Sequence, residues 1–85
     1  MATRDKRLQA MQRNPAHVRF DDVRMVLEDH GFNGRRPEGG SSHWTFSHPH
    51  VAYLVTIVQR HPFVNEVYIK KALKALAEVE SESNA

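Results

Sequence analysis

Two stretches of the chain carry apolar residues at helical spacing, and a shorter run between them alternates. Phe20, Val23, Val26 and Leu27, followed by His30, recur at intervals of three and four. Gly31 stands where a left-handed cap would close such a helix. Ile69, Ala72, Leu73 and Leu76 repeat the spacing near the C-terminal end, with Asn65 placed to cap that second helix. Lys70, Lys71 and Lys74 fall on its other faces.

Between them the pattern is that of strands. Phe32 to Arg36 predicts a first strand, and Pro37-Glu38-Gly39-Gly40 supplies turn residues. Ser41 or Ser42 to His48, ended by Pro49, predicts a second strand. The β-branched run Ala52 to Val58 predicts a third, joined to the second as a hairpin across Pro49-His50-Val51. The expected class is therefore α+β: helix, three antiparallel strands, helix, with both helices on one face of the sheet so that their apolar stripes are buried together. Residues 1–14 form a basic extension predicted to carry a short, loosely attached helix over 4–13 with Thr3 as its cap, and residues 80–85 an acidic, polar, frayed tail. The folded domain is expected over 15–79.

Strand parity then decides what faces where. Trp44, Phe46 and His48 share one side of the second strand, and His43, Thr45 and Ser47 the other. The aromatic pair is needed for a small core, so His43 is predicted on the open face, after the flexible Gly39-Gly40-Ser41-Ser42 segment. On the third strand the same rule sends Tyr53, Val55 and Ile57 inward. Leu54, Thr56 and Val58 go outward, an apolar display that calls for a partner over part of the open face.

Composition narrows the chemistry. The chain has 85 residues and no cysteine, which excludes disulfides, thiolate zinc sites and a thiol nucleophile. Its opening Met1-Ala2-Thr3-Arg4-Asp5-Lys6-Arg7 is charged and leads into no apolar segment, and the run Val51 to Val55 is too short to span a bilayer. The expectation is a cytoplasmic protein with no membrane association. Lys+Arg number 12 against 10 Asp+Glu. The three glutamates Glu78, Glu80 and Glu82 sit at the end, so the body is more basic than the total suggests and suits a phosphate backbone or an acidic partner.

Histidine exchanges protons near neutrality, so His43 on a strand beside hydroxyls is a candidate general acid or base. Arg35, Arg36, Arg60, His61 and Lys70 are candidate phosphate contacts, and Ser42 and Thr45 are candidate hydroxyl contacts to the same ligand. Arg35 and Arg36, adjacent on a strand, point to opposite faces. A zinc site through His48 and His50 lacks a third ligand: His43 has the opposite parity, and no Asp or Glu lies between Gly39 and Asn65. No metal and no cofactor is expected.

The ordered set Asn14-Pro15, Val18-Arg19-Phe20, Leu27-Glu28, Gly31-Phe32, Ser42-His43-Trp44-Thr45-Phe46-Ser47-His48-Pro49, Val55-Thr56-Ile57, Arg60-His61 and Ala72-Leu73 closely resembles the HicA toxin family, the YcfA-like mRNA interferases. The likeness runs from about residue 14 to 79. It departs from the family pattern in Ser41-Ser42-His43, where the glycines come one position earlier, and in Trp44, where many members have a second histidine. The segment Ile57 to His61 is one residue longer.

The resemblance implies a double-stranded-RNA-binding-domain-like fold and an endoribonuclease that cleaves mRNA in a type II toxin–antitoxin system. It also implies a HicB-type antitoxin as partner and His43 as the active histidine. One histidine with nearby hydroxyls suits metal-independent cleavage through a ribose 2′-OH. A non-catalytic RNA-binding module of the same fold is the alternative, since such folds read RNA through backbone shape and 2′-OH contacts.

Overall fold

A computed structural model describes residues 3–39 and 41–83. The expectations for Met1-Ala2, for Gly40 in the turn and for Asn84-Ala85 lie outside the described residues. The elements are α1 (Thr3–Arg13), a single 3-10 turn (Pro15–His17), α2 (Phe20–Asp29), β1 (Asn33–Arg35), β2 (His43–His48), β3 (Val51–Val58) and α3 (Glu66–Ser83). The strands form one antiparallel sheet in the order β1-β2-β3.

Helix α2 buries Phe20, Val23, Val26 and Leu27, the spacing read from the sequence. Its end is a Schellman motif: Gly31 at φ +90° donates its N–H to Glu28 O at 3.0 Å, and Phe32 donates to Leu27 O at 3.0 Å. The motif reverses the chain and delivers a buried Phe32 at the start of β1. Asn65 caps α3, its Oδ1 accepting the Val67 N–H at 3.0 Å. Ile69, Ala72, Ala75, Leu76 and Val79 then form the buried stripe of α3.

The sheet's inner face meets these helices. Phe46 and Ile57 are fully buried and Val55 nearly so, while Trp44 lies against Phe20 with ring centroids 5.2 Å apart. Gly34 of β1 faces Phe46 across the strand pair, and a Cβ there would stand 2.7 Å from the Phe46 ring. Only a hydrogen atom fits between that backbone and that ring.

Four features differ from the sequence expectation. Met11 is only 1% exposed and belongs to the core, with Leu8 packed beside it, so α1 is docked rather than loosely attached. Tyr53 is 41% exposed although Val55 and Ile57 of the same strand are buried, because the register shift between Val51 and Val55 interrupts the ladder at this residue, and its hydroxyl donates to Glu78 of α3. Strand β1 is confined to Asn33–Arg35, which leaves Arg36 outside it and removes the alternation predicted for the two arginines. Helix α3 continues through the acidic stretch to Ser83, where a frayed tail was expected from residue 80.

Candidate functional site

His43 opens β2 on the sheet's outer face and is exposed. It stands opposite Val58 of β3 in the ladder, and one residue further out the Gln59 N–H donates to Ser42 O at 2.8 Å, so the strand end that carries the imidazole is pinned on its β3 side. Pinning also comes from behind. The adjoining Trp44 points inward, its Nε1–H donating to Gln59 Oε1 at 3.2 Å, with the Arg24 guanidinium 4.8 Å from its ring centroid.

The imidazole itself is held by a residue the sequence reading passed over. Ser41 Oγ accepts the His43 main-chain N–H at 3.2 Å and lies 3.1 Å from His43 Nδ1. A serine bonding the backbone two residues ahead is a local motif with no periodic signature. The Ser-x-His spacing was the signal available. Either tautomer satisfies this contact, since the hydroxyl can accept from Nδ1–H or donate to Nδ1; in the first, Nε2 carries the free lone pair.

Along the same face, Thr45 is one step from His43, about 6.7 Å by strand geometry. Its cross-strand partners are Arg35 on β1 and Thr56 on β3. Opposed residues in such a ladder hold their Cβ atoms ~4.5–5.5 Å apart, so the structure brings Arg35 and Thr45 together beside His43. A shallow depression lined by Asn33, Arg35, Thr45, Ser47 and Leu54 continues the surface toward the hairpin. None of the three strands contains an acidic residue, so their outer side offers imidazole, guanidinium and hydroxyl groups to an anion, with Glu38 of the β1–β2 loop the acid next to it in the chain.

The other candidates are placed differently. Ser42 is exposed, and its carbonyl is the one bound by Gln59. Arg36 is exposed in the loop after β1, and Arg60 and His61 are exposed in the segment that leaves β3 just past the Ser42–Gln59 pair. Lys70 lies on α3, in the layer behind the sheet, with Nζ 3.3 Å from Glu66 Oε2. His48 accepts the His50 N–H on Nδ1 at 3.0 Å and packs on Phe32 at 4.9 Å, which gives it a structural task at the hairpin. Among the described residues no three His, Asp or Glu side chains are grouped to hold a metal ion, and no helix is long and apolar enough to cross a membrane.

Against this geometry, comparison with protein-family models, with curated proteins and with solved structures finds no match.

Proposed function

We propose that this chain is an mRNA-cleaving endoribonuclease of HicA type, the toxin of a toxin–antitoxin pair held silent by a HicB-type antitoxin. In this reading its helices and sheet form a double-stranded-RNA-binding-domain-like arrangement. The observation that carries the proposal is the exposed His43, anchored through Ser41 on a strand, on a face that holds Arg35 and hydroxyls and whose strands contain no acidic residue.

The chemistry is general acid–base. Nε2 of His43 takes the proton of a ribose 2′-OH, and the 2′-oxygen attacks the adjacent phosphorus. The bond to the 5′-oxygen breaks, leaving a 2′,3′-cyclic phosphate on one fragment. The 5′-oxygen leaves with a proton from water or from the imidazolium that has just formed. Arg35 stands one ladder position away, suited to the phosphate as charge builds on it. Proton transfer of this kind contributes ~10²–10⁴-fold in rate.

The test is cleavage of a long single-stranded RNA in excess EDTA by the wild type and by His43→Ala. Cleavage by the wild type alone, with cyclic phosphate ends, is the expected result. If neither protein cuts and both bind the RNA equally, the catalytic reading is wrong and the chain is an RNA-binding module.

A further inference from the structure

Four consecutive residues of β3, Tyr53 to Thr56, line one groove together with Lys71 and Lys74 of α3. Successive strand residues point to opposite faces, so a groove touched by all four runs along the strand's edge. That edge is free, since β3 is outermost and pairs only with β2. Proteins ordinarily blunt such an edge with charge, proline or a bulge. Val51–Val58 contains no charged residue and no proline. Its one register shift falls between Val51 and Val55, at the end that holds Tyr53 and Leu54, and Val55 to Val58 keep a regular ladder with an open edge.

The walls of the groove say what fits. Leu54, 62% exposed, stands on the outer side. On the helix side Lys71 and Lys74 are exposed, and the ion pairs among the described residues leave both without a carboxylate. A second copy of the chain pairing edge to edge about a two-fold axis would bring both copies' lysines to one seam, and like charges there repel over the ~8 Å screening length of physiological salt. An acidic strand converts that repulsion into attraction.

We propose that this edge accepts an extended acidic segment of a partner protein as a fourth strand, with acidic side chains toward Lys71 and Lys74 alternating with apolar ones over Leu54. The groove shares Leu54 and Thr56 with the outer face that bears His43, but the proposal does not depend on cleavage. It is tested by selecting short random peptides displayed on phage against the purified chain. The expected winners alternate acidic with apolar residues, and a winner made synthetically slows amide exchange in residues 53–56. The Lys71→Glu/Lys74→Glu variant binds that peptide at least about tenfold more weakly and selects basic peptides in its place. Winners without net negative charge, unchanged affinity in the variant, or no exchange protection along 53–56 would each overturn it. So would a dimer of the chain in sedimentation that Leu54→Lys dissolves, which would assign the edge to a second copy.

Discussion

The Ser41 hydroxyl accepts the main-chain N–H of His43 at 3.2 Å while lying 3.1 Å from that residue's Nδ1. One oxygen thus fixes both the backbone and the ring of the proposed base. Ser41 is a positioning residue, and Ser41→Ala is expected to lower kcat for RNA cleavage roughly tenfold, the scale of one hydrogen bond. KM stays the same, and Ser41→Thr restores the rate. A change confined to KM, or equal losses in the Ala and Thr variants, would remove Ser41 from this role.

Arg35 and Lys70 are both cationic candidates, but the sheet lies between their layers. Arg35→Ala is expected to weaken RNA binding and to reduce the slope of log affinity against log salt by about one, as for the loss of one phosphate contact. Lys70→Ala, which breaks only an exposed pair with Glu66, leaves affinity and slope nearly unchanged. Equal effects in filter binding across a salt series would place the RNA path over α3 instead.

Met11 tests whether the N-terminal helix belongs to the fold. Met11→Ala is expected to destabilise the domain by about 2–5 kcal/mol, the usual cost of a buried large-to-small change, read as a lower urea midpoint. A midpoint within error of the wild type would mean that α1 is held elsewhere.

How far such features could be read from sequence varies by element. The stripe of α2 and the parity of β2 were legible because several residues agree on one period, and His43 came to the surface with them. The docking of α1 rests largely on one methionine in a basic segment, too little for any periodicity to show. Ser41 acts over two residues, which leaves no pattern in a polar loop. Tyr53 lies within the register shift of β3 between Val51 and Val55, and such a bulge leaves no period in an apolar run.

Tyr53 carries a pH consequence. Its hydrogen bond to the Glu78 carboxylate, with a smaller effect of burial and of the nearby charge, raises its pKa above the ordinary 10.0. Below that value both folded and unfolded chains keep the phenolic proton and the bond contributes fully. Above it the unfolded chain ionises first, so the contribution is lost as pH rises through the folded-state pKa. Urea midpoints taken from roughly pH 9 upward are expected to fall more steeply for the wild type than for Tyr53→Phe. Parallel curves would show that the bond does not persist in solution.

The placement of Trp44 also gives the molecule an optical reporter. It is the chain's one tryptophan, 8% exposed, and its indole is held by Gln59 and faced by Arg24 directly behind His43. Its emission therefore arises from a single environment, and a shift in the strand end that bears the imidazole changes the distance from that ring to a fixed positive charge. Engagement of the outer face can be followed as a change in intrinsic fluorescence, with no label attached to the protein or to its ligand.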